Sequence, residues 1–193
     1  MTAQAQQLPP ELVYVIFSAD INPHTTESLI AACVNLSNNG VKKIYLVFST
    51  PGGLVSQGMT LYNVLKSLPI ELITHNSGNV DSIGNVIFLA GAKRYACQHS
   101  TFMFHGVGFD GQGNVRLEEK NLRETLAAVQ ADQKRIGGVI AERTRIPLNE
   151  VSNLFLEQQT QDAAFAVSKG IVHEVRDIQI PAGAPVVSLV FQR

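Results

Sequence analysis

The sequence predicts an α/β domain built on a parallel sheet. Apolar runs at Leu12–Phe17, Ile44–Phe48 and Ile70–Thr74 have strand length and lack polar alternation, as strands buried on both faces do. Each is followed by a helical or helix-ready stretch, and parallel strands require such crossovers. Two glycine-rich turns, 49–53 and 78–84, each follow a strand and precede a helix. Both therefore fall on the carboxyl edge of the sheet, where such folds gather their reactive groups.

The elements follow in order. Residues 1–11 are a polar leader ending near Pro9-Pro10, and Leu12–Phe17 is the first strand. Asn22-Pro23 offers an N-cap and a first helical position. Leu29, Ile30, Cys33, Val34 and Leu36 make the buried face of the helix, and Gly40 stops it. After the strand at 44–48 comes a helix over 56–68 with Met59, Tyr62 and Leu65 on one side. The strand at 70–74 leads to a short apolar helix over 82–90. Arg94–Cys97 and Thr101–Phe104 read as short strands, and 106–114 as a glycine-rich loop.

A proline-free stretch over 117–145 carries Leu122, Leu126, Val129, Ile136 and Ile140 at helical spacing, opposite a charged face. A helix of that length extends about 42 Å, so its apolar stripe is expected to meet another subunit. Gly137-Gly138 within it predicts close packing against a helix. Short helices over 147–155 and 161–169, the latter capped by Thr160, precede a strand at 171–175. Residues 179–193 form a C-terminal extension whose PVVSLVF segment reads as a further strand. The whole chain, 1–193, is expected to be one domain.

Composition narrows the function. The chain has 193 residues, 45% hydrophobic and 16% charged, with a net charge of −1. That balance argues against nucleic acid or an anionic membrane as partner and favours self-association. There is no bilayer-length apolar run and no secretory signal, so a cytoplasmic location is expected. Cys33 and Cys97 read as small buried hydrophobes in a reducing compartment. No metal-ligand spacing, P-loop or dinucleotide fingerprint occurs, so neither metal nor cofactor is expected. His24, His75, His99 and His173 read as surface or loop residues.

Chemistry concentrates at Gly78-Asn79-Val80-Asp81-Ser82-Ile83-Gly84. A serine where a strand turns into a helix has free amides beside its hydroxyl, and flanking glycines allow close approach of a substrate. Taken alone, such a serine is an N-cap or a nucleophile.

Three further stretches decide between these. Thr50-Pro51-Gly52-Gly53 with Val55-Ser56-Gln57-Gly58-Met59-Thr60-Leu61-Tyr62 resembles the S-P-G-G segment and following G-M-x-I-Y helix of the Clp protease proteolytic subunit. Gly78 to Gly84 with Ala90-Gly91-Ala92-Lys93-Arg94 resembles that family's nucleophile segment and its A-G-A-K. Ser100 to His105 (STFMFH) resembles its segment ending in M-I-H. The resemblance runs over about residues 12–176. It implies the ClpP/crotonase-like fold, stacked β-β-α units with a protruding handle helix, and seven-membered rings joined face to face by that helix. It implies a serine peptidase acting on peptides or unfolded proteins, with Ser82 as nucleophile and His105 as general base. The backbone N–H groups of Gly53 and Ile83 would form the oxyanion hole.

The chain departs from the pattern at three places. Gln158 stands where the family has its catalytic aspartate; it can accept a hydrogen bond from His105 but carries no charge, and Glu157 and Asp162 are nearby acids. Loss of the corresponding charge in trypsin lowers turnover about 10⁴-fold. Asp81 replaces a small residue and is expected to point away from the nucleophile. Only eleven residues precede Leu12, so the family's axial loop and N-terminal helix lack counterparts and an ATP-driven unfoldase partner is not carried over. The alternatives are an inactive structural subunit pairing with an active paralogue and an acyl-CoA enzyme of crotonase fold.

Overall fold

The computed structural model describes residues 9–108 and 118–191. Four strands form the centre: β1 (Leu12–Ser18), β2 (Lys43–Thr50), β3 (Glu71–Asp81) and β4 (Lys93–Ala96). They are joined through α1 (Pro23–Asn38), α2 (Val55–Ser67) and α3 (Gly84–Phe88), and all their pairings are parallel. β5 (Thr101–Met103) also runs parallel to β3, whereas β6 (Thr160–Asp162) pairs with β5 antiparallel. α4 (Glu119–Arg143), α5 (Leu148–Glu157), α6 (Ala163–Ser168), β7 (Glu174–Val175) and β8 (Val186–Ser188) complete the chain. The expected mixed α/β architecture is what the sheet and its helices form.

The sheet hides two unlike faces. Val13, Val15, Phe17, Ile44, Leu46 and Phe48 point to the helices and belong to the main core. Tyr14, Tyr45, Val47 and Ile73 point the other way, where Ile178 and Ala184 of the C-terminal segment cover them. That segment then adds β8 to the free edge of β1, with Tyr14 opposite Val186.

β3 positions the site and is longer than the expected 70–74 run. It changes partners midway: Ile73–Asn76 pair with β4, while Asn79–Asp81 pair with β5. A register shift against β2 between Phe48 and Thr50 accommodates the change. Gly78 and Asn79 are turn formers that here mark this break within a strand. One consequence overturns the surface reading of His75, which lies fully buried. Its Nδ1 is 2.7 Å from Tyr45 Oη and its Nε2 3.0 Å from the Arg176 carbonyl. That carbonyl can only accept, so Nε2 carries the proton and Nδ1 accepts from tyrosine. Burial pushes the His75 pKa down to about 4. Cys97, half-buried beside it, is less enclosed than expected, whereas Cys33 is fully buried.

Other boundaries shift for local reasons. The helix expected over 161–169 begins at Ala163, because Asp162 rather than Thr160 caps it, accepting from Phe165 N–H at 2.7 Å. The strand expected over 171–175 shrinks to two residues, since the Ile171 and Val172 amides donate to Ala166 O and close α6. α5 ends at Glu157, beyond the expected 155.

α4 is 25 residues long, about 38 Å. Only Ile136, Gly137 and Ile140 are buried on it, while Leu122 and Leu126 are 51% and 56% exposed. The helix therefore stands on the core by its last turns alone. The expected close packing at Gly137-Gly138 is absent among the described residues: a Cβ on Gly137 would lie 3.6 Å from Val151, ordinary contact, and one on Gly138 would meet nothing within 4 Å. The leader at 1–8, part of the 106–114 loop and the expected start of the long helix at 117 lie outside the described residues.

Candidate active site

Ser82 is where β3 stops. Its φ of 57° lies in the left-handed region, which costs a non-glycine residue about 1–2 kcal/mol. The surrounding chain holds it there. Ser82 N–H donates to Met103 O at 2.9 Å, and Asn85 Nδ2 donates to Ser82 O at 3.1 Å and Met103 O at 2.8 Å. The helix expected over 82–90 is Gly84–Phe88, with Ile83 in the N-cap position and no side-chain cap hydrogen bond. Ser82 therefore does not cap α3.

The turn after β2 packs against this serine without room for a side chain. Gly52 has φ 92°, and a Cβ there would lie 2.7 Å from Ser82 Cβ and 2.9 Å from Asp81 O. Thr50 Oγ1 accepts from Gly52 N–H at 3.1 Å, fixing the turn. Ile21 N–H donates to Gly52 O at 2.7 Å and Leu54 N–H donates to Ile21 O at 2.8 Å, a bridge that leaves Gly53 N–H unused. Ile83 N–H likewise has no partner among the described residues. On the far side, a Cβ on Gly58 of α2 would overlap Ile83 Cγ1 and one on Gly84 would overlap Thr50 Cγ2.

His105 follows the end of β5. With Ser82, Gly53 and Ile83 it lines a cavity of about 240 Å³ whose apolar wall includes Ile136, Ile140 and Phe155. His105 Nδ1 lies 2.7 Å from Gly106 O. Because a carbonyl only accepts, Nδ1 carries the proton and Nε2 keeps its lone pair. No hydrogen bond joins Ser82 Oγ to His105 among the described residues; such bonds commonly tighten once substrate is bound.

No hydrogen bond joins Gln158 to His105 among the described residues, where His105 Nδ1 is taken up by Gly106 O. Gln158 is the exposed left-handed C-cap of α5, with φ 52° and its N–H on Leu154 O. Glu157 is exposed at the end of the same helix, and Asp162 is occupied in capping α6. The wall that α5 presents to the cavity is Phe155, whose carbonyl accepts from Gly106 N–H at 3.1 Å.

Asp81 does not line the cavity that holds Ser82. It is half-buried, and burial raises its carboxyl pKa, offset by the Asn79 amide at 2.6 Å and the Met103 N–H, with a smaller lowering from His105 when that ring is protonated. Its alternation in the strand places it with Asn79 on one side and Val80 on the other. The signal was present in the sequence as β3 period-two spacing, but only once the strand is known to reach residue 81.

Arg94 was also missed as a structural centre. Its buried guanidinium donates to the carbonyls of Ile171, Gly91, Arg143 and Gly170, tying α4 and the α6 exit to the sheet. Among the described residues, no group of three or more His, Cys, Asp and Glu side chains is placed to hold a metal ion, and no helix is long and apolar enough to cross a membrane.

The architecture is similar to that of known proteins. A mutant of ClpP1 from Listeria monocytogenes superposes with a TM-score of 0.75 at 20% identity, over 86% of this chain and 92% of that one. The family model described as Clp protease matches residues 8–179, from the start of β1 through β7. With nearly its full length matched and the expected arrangement of sheet, elbow and projecting helix in place, the chain belongs to the Clp protease family.

Proposed function

We propose that the chain is a serine peptidase that hydrolyses peptide bonds in peptides or unfolded chains. The observation that carries this reading is the Ser82 elbow. A serine held at φ 57°, capping no helix, shares one cavity with two unspent amides and a histidine of the right tautomer. Backbone strain of this kind persists only where neighbouring structure enforces it.

The chemistry follows from the placement. His105 Nε2 takes the Ser82 hydroxyl proton while Oγ bonds to the substrate carbonyl carbon. The carbonyl electron pair moves to oxygen, which the Gly53 and Ile83 amides receive. Each such donor lowers the barrier by about 3 kcal/mol. Collapse breaks the C–N bond and the imidazolium gives its proton to the leaving amine. Water, deprotonated by the same nitrogen, then releases the acyl group.

The exposed leucines of α4 support assembly. Leu122 and Leu126 sit on a helix with no core beneath them, and a second copy would cover them. We read α4 as the handle of a stacked homo-oligomeric ring. A second reading is a structural subunit with little activity of its own, favoured because His105 Nδ1 meets a backbone carbonyl and no acid among the described residues.

Labelling with a fluorophosphonate separates the two. The peptidase reading expects Ser82 to be modified and Ser82→Ala to abolish both labelling and peptide hydrolysis. A folded, oligomeric protein whose Ser82 stays unmodified would falsify it.

A further inference from the structure

Resting on the peptidase reading, we propose that Asp81 is the positioning residue for the His105 base, supplying from β3 the negative charge that α5 does not deliver. The register of the sheet carries this. Asp81 pairs with Met103, so their side chains share a face, and His105 lies two residues beyond Met103, past the end of β5, where the burial alternation continues. The burial pattern agrees: Val80, Phe102 and Phe104 enter the core, whereas Asn79, Asp81, Met103 and His105 are half-buried.

The carboxylate is held in place. Asn79 Nδ2 donates to Asp81 Oδ2 at 2.6 Å and to Thr50 O at 3.1 Å, and Asn79 Oδ1 accepts from Ser49 Oγ at 3.0 Å. A charge on His105 would act on this carboxyl through space, as the smallest influence on it, since no ion pair joins the two among the described residues. Two roles that one aspartate usually fills are thereby divided. Gly106 O fixes the imidazole tautomer but carries no net charge, and Asp81 supplies the charge but leaves Nδ1 to the carbonyl. When the Ser82 proton reaches Nε2, the ring holds a positive charge that a nearby carboxylate stabilises across a partly dry site. The proton then passes to the leaving amine and the ring returns to neutral.

Asp81→Asn keeps the shape and removes the charge. The rate of fluorophosphonate labelling at Ser82, followed against pH, is expected to fall about tenfold, with its acidic limb displaced to lower pH. Asp81→Ser, which brings no second amide against Asn79, is the companion variant and should displace the limb equally. Slower labelling with an unmoved limb would mean a purely structural Asp81 and overturn the proposal. Faster labelling would overturn it as well, since the charge would then be opposing the oxyanion. An NMR titration of the His105 ring in Ser82→Ala protein, with and without Asp81→Asn, needs no activity. A midpoint that moves down supports the pairing even if wild-type Ser82 resists labelling, in which case only the peptidase reading fails; an unmoved midpoint removes the pairing itself.

Discussion

The glycines around Ser82 and those in α4 look alike in the sequence and behave oppositely in the fold. Gly52, Gly53, Gly58 and Gly84 each leave no room for a methyl group, and the atoms they would strike belong to the serine elbow or its supports. Gly137 and Gly138 leave ordinary contact or open space. A glycine pair in a helix is thus not by itself a sign of tight packing, whereas the Gly52-Gly53 turn, Gly58 of α2 and Gly84 of α3 converge on one region. The difference teaches where the chain spends its tolerance: the elbow is over-determined, the handle is not.

Substitutions that break this contrast should differ in size. Gly52→Ala is expected to do the most, because its Cβ meets Ser82 Cβ at 2.7 Å and its φ is 92°. Labelling of Ser82 should fall at least about 100-fold, the effect of a misplacement near 1 Å; retention of wild-type labelling would show that the elbow yields. Gly58→Ala comes next. It pushes Ile83 rather than the serine, so thermal or urea unfolding should show a loss of about 1–3 kcal/mol from overpacking, with labelling slowed as the Ile83 amide shifts.

A contrasting vulnerability lies at the other half of β3. His75 is buried neutral with its pKa held down to about 4 against an ordinary value of 6.5. The unfolded chain therefore binds a proton that the fold refuses. This contribution is intact above pH 6.5 and is lost as pH falls toward 4, by up to about 1.4 kcal/mol per pH unit. Denaturation midpoints across that window should fall less steeply in His75→Gln; equal slopes would place the acid sensitivity elsewhere. The smallest effect belongs to α4. Gly137→Ala should stabilise the isolated chain by about 0.5–1 kcal/mol, the helix-propensity gain alone. A loss of oligomer by sedimentation in the same variant would mean that a second copy approaches this glycine closely.

Most of the fold was legible because its strands are continuous apolar runs and its helices carry clear stops. The Asn22 cap, the Gly40 stop and the β2 turn all stand where the sequence places them. The serine stretch was misread in its first half. Gly78 and Asn79 signal a turn, and nothing local shows that β3 exchanges β4 for β5 at that point. His75 was misplaced for that one reason, since a strand's reach sets which face each residue takes. Gln158 was placed by its position along the chain, whereas the left-handed end of α5 turns it outward.

The sequence by itself determined the α/β class, the glycine-serine-histidine set and the long amphipathic helix, because composition, period and chain order are local properties. Tertiary structure decided what stands beside His105. Register between β3 and β5 pairs Asp81 with Met103, Gly106 O accepts a hydrogen bond from His105 Nδ1, and Gln158 ends α5 as an exposed left-handed cap. The strand pairing joins residues more than twenty positions apart, Asp81 and Met103, and no local pattern encodes it.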